Sequence, residues 1–190
     1  MAVESTMQGL GTSAPAFDLP DVVTGKTVSK TTFEGQSLLV MFICTHCPYV
    51  KHVEKELAAL GRDYQGKVAM VAIGANDALT HPTDAPQGLR AQAEREGFTF
   101  PYLYDESQEV AKAYTAACTP DFFLFDKNHK LVYRGRLDPS RPKSAVPVTG
   151  SELRGALESV LADKSVSATQ YPSMGCNIKW KAGNAPAYFG

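Results

Sequence analysis

The chain has 190 residues, 44% hydrophobic and 21% charged, with 19 basic against 20 acidic side chains for a net charge of −1. That composition suits one globular domain with a real core and excludes the basic excess of a nucleic-acid or anionic-membrane binder. The longest apolar run, Leu38 to Cys44, is far shorter than a membrane-spanning helix, and Met1-Ala2-Val3-Glu4-Ser5-Thr6 has neither the basic start nor the apolar core of a secretory signal. The address expected is cytoplasmic.

Residues 1–11 are polar and glycine-bearing, and are expected to form a loosely held lead-in. Phe17-Asp18-Leu19-Pro20 and Lys26-Thr27-Val28 flank Val23-Thr24-Gly25 and predict a small hairpin. Leu38–Ile43 is an unbroken apolar run, the pattern of an inner strand covered on both faces. Val50, Val53, Leu57, Leu60 and Tyr64 recur at three and four residues, predicting a helix from Pro48 to Tyr64 with Gly61 and Gly66 at its end. Val68–Ile73 is a second inner strand, so a right-handed βαβ unit with a parallel pair follows.

Asn76–Ala85 reads as a loop, and Pro86 opens a helix that stops near Gly97 with Leu89 and Ala93 facing inward. Asp105-x-x-Gln108 has the form of a capping box for a helix reaching Ala116. Phe122–Phe125 and Lys130–Tyr133 predict strands around the turn Asp126–His129. Asp138–Pro147, with three prolines, reads as a surface loop. Thr149-x-x-Glu152 is expected to cap a last helix that buries Leu153, Ala156, Leu157, Val160 and Leu161. Residues 163–190 have little periodicity, yet Cys176, Ile178 and Trp180 together suggest a tail that docks on the domain.

Chemistry concentrates in Cys44-Thr45-His46-Cys47-Pro48, which joins the first inner strand to the first helix. Backbone N–H groups and the helix dipole favour an anion there, which lowers a thiol pKa and produces the reactive thiolate. In that reading Cys44 is the exposed nucleophile and the more buried Cys47 resolves the mixed disulfide. His46 stabilises the thiolate or serves as a solvent-facing spacer.

The order β-hairpin, β, α, β, α, α, β, β, α, with Cys44-x-x-Cys47 after the first central strand, resembles the thioredoxin fold. Within it, Ala14-Pro15-Ala16-Phe17, the dithiol and Thr119-Pro120-Asp121-Phe122-Phe123-Leu124-Phe125-Asp126 resemble the redoxin branch, which holds the alkyl-hydroperoxide-reductase/thiol-specific-antioxidant (AhpC/TSA) and TlpA/ResA-like proteins. The resemblance covers residues 12–162, leaving 1–11 as lead-in and 163–190 as a C-terminal extension. It implies an α/β domain with a central mixed sheet flanked by helices, a cis bond between Thr119 and Pro120 facing the dithiol, and an antioxidant thiol–disulfide oxidoreductase. It implies no bound cofactor and no metal; partners would be protein or small-molecule thiols and disulfides, not nucleic acid or membrane. The chain departs from the thioredoxin pattern in having Phe42 and Ile43 rather than Trp before the dithiol. Leu38 stands where thioredoxin carries a buried acid.

Two alternatives accompany that reading. A peroxiredoxin-like peroxidase would use Cys47 on hydroperoxides, with Arg134 or Arg136 stabilising the developing charge. A copper- or zinc-handling redoxin would use Cys44, Cys47 and a histidine. Cys118 is a small buried hydrophobe or an extra redox thiol; Cys176 is a second candidate for an extra redox thiol, in a tail that covers the site or pairs its sulfur with Cys118, which requires Cα atoms within about 7 Å. His52, His81 and His129 read as solvated, and Asp105 and Glu106 as helix-start residues.

Overall fold

The computed structural model describes residues 1–189. In chain order its elements are β1 (Ala2–Glu4), β2 (Asp18–Pro20), β3 (Thr27–Ser29), β4 (Leu38–Phe42), α1 (Pro48–Asp63), β5 (Ala69–Gly74), α2 (Pro86–Glu96), β6 (Tyr102–Tyr104), α3 (Glu109–Ala113), β7 (Cys118–Thr119), β8 (Asp121–Phe125), β9 (Leu131–Gly135), α4 (Ser151–Leu161) and β10 (Met174–Asn177). A central mixed sheet runs β6-β5-β4-β8-β9. The β4–β5 and β5–β6 pairs are parallel, β4–β8 and β8–β9 antiparallel.

Every residue of β4 and β5 is buried, because both faces of these apolar runs are covered. The pleat sends Leu39 and Met41 to one face, against Val50, Val53 and Leu57 of α1 and Leu153 and Leu157 of α4. Leu38, Val40 and Phe42 point to the other, against Leu19, Ala111, Tyr114 and Ile178. Each fully buried leucine stabilises the fold by roughly 1.5–3 kcal/mol. The sheet therefore holds the C-terminal end of β4 as a rigid ledge, and α1 starts from it.

Several local expectations give way to longer-range contacts. Helix α1 runs through Gly61, which is buried so close to Thr99 that an added Cβ would fall 2.7 Å from its Oγ1. Gly66, at φ +75°, takes the left-handed turn beyond the helix. Strand β6, absent from the sequence reading, is three residues long and borrows its pairing from β5. Helix α3 ends at Ala113, before the expected Ala116, and the capping box does not form. Asp105 Oδ2 instead accepts from the Ala111 N–H at 2.8 Å, and Gln108 donates to the carbonyls of Ala75 and Lys179. Thr149 and Glu152 likewise do not cap α4: the buried Asp138 accepts from the N–H groups of Thr149 and Gly150, both at 2.7 Å. Glu152 pairs with Arg136.

The first residues, expected to be loose, form a strand. β1 pairs with β10, and β10 pairs with β7, in a second antiparallel sheet ordered β1-β10-β7. The C-terminal segment thereby lies along the strand that leads into Pro120.

Candidate active site

Strand β4 ends at Phe42, and α1 begins at Pro48 with Cys47 as its N-cap residue. Pro48 suits that first position because its missing N–H would have no intrahelical partner. Across the corner, the Thr119–Pro120 bond is cis. Thr119 meets both thiols: its Oγ1 shares a 3.2 Å hydrogen bond with Cys44 Sγ, and its carbonyl lies 3.2 Å from Cys47 Sγ.

The two sulfurs differ from the sequence expectation. Cys44 is not exposed; both Cys44 and Cys47 have no accessible surface. Cys44 is pushed up by donating to Cys47, by burial and by the neighbouring Asp84 carboxylate. Cys47 is pulled below the ordinary thiol value chiefly by the hydrogen bond from Cys44, with further donation from the Cys176 thiol and the Val50 N–H outweighing burial. The Thr119 carbonyl is an opposing acceptor. Cys47, at the N-terminus of α1, is therefore the sulfur of the pair whose anion is favoured.

A residue that sequence reading passed over completes the corner. Asp84, on the segment read as a plain loop, is 1% exposed. Its Oδ1 accepts from the Thr45 N–H at 2.8 Å and Thr45 Oγ1 at 2.6 Å; its Oδ2 accepts from Asn76 Nδ2 at 2.8 Å and faces His46 Nδ1 at 2.6 Å. Burial opposes its charge, but the hydroxyl of Thr45, the amide of Asn76 and the Thr45 N–H hold it below the usual carboxylate range. Cys44, His46 and Asp84 present ligand-type atoms within 4.8 Å of one another. Both Asp84 oxygens already accept hydrogen bonds, so a cation would have to displace them. The trio fits a thiol beside an oriented imidazole better than a metal cage.

His81, expected in solvent, stacks on His46 with ring centroids 4.9 Å apart. Burial and the charges of His46 and Lys179 hold its pKa down. His129, also expected in solvent, is 7% exposed and shares a hydrogen bond with the Phe33 carbonyl. His52 faces Ser140 rather than the thiols. Arg136 is taken by Glu152 and the Tyr171 ring, and Arg134 by Gln8 and Gln170. Cys118 is fully buried and contacts the Pro120 carbonyl, its thiol pushed up by burial. Cys176, half-buried, packs against the core cluster that holds Cys44 and Cys47. The signal for Asp84 was thin: an Asp between two prolines, Pro82 and Pro86, in a loop.

A mixed sheet of this order with a C-x-x-C at a helix start and a cis-proline opposite defines an oxidoreductase of the redoxin branch of the thioredoxin-like superfamily. Residues 10–134 match the AhpC/TSA family, and the chain belongs to it. It is 30% identical over 133 residues to the thiol-disulfide oxidoreductase ResA of Geobacillus thermodenitrificans, covering 67% of this chain and 70% of that one. An uncharacterized conserved protein from Geobacillus kaustophilus shares 51% identity with a TM-score of 0.93, covering 95% of this chain and 97% of its own. A hypothetical protein from Sinorhizobium meliloti 1021 shares 47% with a TM-score of 0.92, over 95% of this chain and 99% of its own. The thioredoxin domain of a thiol-disulfide oxidoreductase from Bacteroides vulgatus, 18% identical with a TM-score of 0.58 over 70% of this chain and 90% of its own, shares the fold.

Proposed function

We propose that this chain is a thiol–disulfide oxidoreductase that cycles Cys44 and Cys47 between dithiol and disulfide. The observation that carries the reading is the placement of both sulfurs at the start of α1, each in contact with Thr119 beside the cis-proline. The ResA relatives support the reaction class.

Electrostatics reverse the roles that spacing alone suggests. Cys47, the sulfur that carries the charge, attacks one sulfur of a substrate disulfide and the other leaves as a thiolate. Cys44 then loses its proton to the His46 imidazole and attacks Cys47 Sγ. The Cys44–Cys47 bond forms, the bond to substrate breaks, and the second substrate sulfur departs with the proton. Run backwards, the same steps oxidise a dithiol. Asp84, 2.6 Å from His46 Nδ1, holds the imidazole in place, and this pair supplies the proton transfer for which Leu38 offers no acid. The peroxidase alternative lacks support at Arg134 and Arg136, since both guanidiniums are engaged elsewhere.

Limiting iodoacetamide at neutral pH, followed by peptide fragmentation, tests the assignment. Label should reach Cys47 first, and the unlabelled enzyme should reduce a protein disulfide that Cys47→Ser leaves intact. First labelling at Cys44, or no disulfide reduction by the native chain, would overturn it.

A further inference from the structure

Neither reacting sulfur has accessible surface in the resting chain, so a more accessible sulfur beside them would ease the resetting of the pair by an outside thiol. The C-terminal strand supplies a third sulfur at that place. In the β10–β7 pairing Cys176 lies opposite Thr119, the residue whose hydroxyl and carbonyl meet the dithiol. The Cys176 side chain packs against the core cluster that contains Cys44 and Cys47. It is the one cysteine of the four that keeps access to solvent.

The strand is built to hold this position. Gly175 rests directly on the Thr119 carbonyl, where a Cβ would fall 2.0 Å from the oxygen. The buried Ser173 hydroxyl donates to the Pro120 carbonyl at 2.6 Å, and the Ser173 N–H and carbonyl both bond Ser5. On the other side of Cys176, the Ile178 N–H donates to Ala117 and the Lys179 N–H to Asn76 Oδ1. A segment fastened at both ends has little freedom for its cysteine to leave.

We propose that Cys176 is a third redox thiol that takes Cys47 into an internal disulfide and carries the oxidising equivalent from the closed dithiol toward solvent. The proposal rests on the dithiol–disulfide reading above. Starting from the Cys44–Cys47 disulfide, the Cys176 thiolate attacks Cys47 Sγ. The Cys44–Cys47 bond breaks, the Cys47–Cys176 bond forms, and the electron pair leaves on Cys44, which takes up the proton that Cys176 released. Cys176 is oxidised and Cys44 reduced, so no outside oxidant is consumed. An outside thiol then attacks the half-buried Cys176 sulfur.

Disulfide mapping of the full chain after diamide oxidation, alkylation and trypsin digestion tests this. Cys44 and Cys47 share the peptide 31–51, and Cys176 lies on 165–179. Native chain should yield both the loop-linked 31–51 peptide and the joined pair. Cys44→Ser should yield the joined pair with alkylatable thiols falling from three to one, and Cys47→Ser should yield none. Given a disulfide substrate, Cys44→Ser should still release the first turnover, whereas Cys44→Ser with Cys176→Ser should trap it on Cys47. If Cys176 stays fully alkylatable while native chain forms the Cys44–Cys47 bond, the third-thiol role is overturned and the dithiol reading stands. If no Cys44–Cys47 bond forms, the dithiol reading itself falls. Native-chain mapping keeps the test valid should a serine variant fail to fold.

Discussion

Asp84→Asn isolates the group that couples the imidazole to the thiol. The buried carboxylate accepts from Thr45 twice and from Asn76, and faces His46. An amide keeps one accepting oxygen for Thr45 but turns an NH2 toward the Asn76 amide, leaving a buried donor without an acceptor, which costs about 1–3 kcal/mol. The folded pKa of Asp84 is lowered, so its stabilisation is present above the ordinary carboxylate value and is lost as pH falls through the folded one. Urea unfolding should therefore show the variant weaker by about 1–3 kcal/mol at neutral pH, with the gap closing below about pH 4. The thiol should respond too. Cys44 Sγ and an Asp84 oxygen lie within 4.8 Å, where two unit charges at that limit interact by about 3.5 kcal/mol at an effective dielectric near 20, and solvent reaching the partly exposed His46 beside them screens part of it. In a Cys47→Ser background, Asp84→Asn should lower the Cys44 pKa by roughly one to two units, read as ultraviolet thiolate absorbance against pH. An unchanged or higher Cys44 pKa would refute the view that the Asp84 charge keeps this sulfur protonated.

Asp121, fully buried behind the cis-proline with its Oδ1 unpartnered among the described residues, has its carboxyl pushed well above the usual range by burial. Its stabilisation is full at acid pH and is lost as pH rises toward the folded value, so Asp121→Asn should raise the melting temperature at neutral pH and flatten its pH dependence; an unchanged profile would refute this. Gly175→Ala should push β10 off the Thr119 carbonyl, lowering stability by about 1–3 kcal/mol and speeding alkylation of Cys47, whereas identical melting and labelling would show that the strand shifts freely. Gly61→Ala gains roughly 0.5–1 kcal/mol of helix preference but drives a methyl into Thr99 and Phe100, and overpacking at about 1–3 kcal/mol should win. A raised melting temperature would count against that packing.

Local pattern was enough for much of this molecule. The unbroken runs at β4 and β5 announced inner strands because burial on both faces leaves no polar position to vary. The spacing Val50, Val53, Leu57, Leu60 placed one face of α1 against the sheet, and the C-x-x-C followed at the strand–helix junction that polarises a thiol. What stayed hidden depends on residues far apart in the chain. Asp84 reaches His46 across 38 positions and nothing in its own neighbours marks it, whereas Thr119, which meets Cys44 across 75, was marked only through the family-like Thr119-Pro120 pair. The caps of α3 and α4 went to Asp105 and Asp138 through backbone turns that a four-residue motif does not describe. Cys176 reached the dithiol corner only when β10 paired with β7, since sequence can count sulfurs but folding sets where they lie. The chain alone placed two thiols at a strand–helix junction; the packing around them decided which residues face them, Thr119 across the corner, Asp84 and His46 beside Cys44, and Cys176 opposite Thr119.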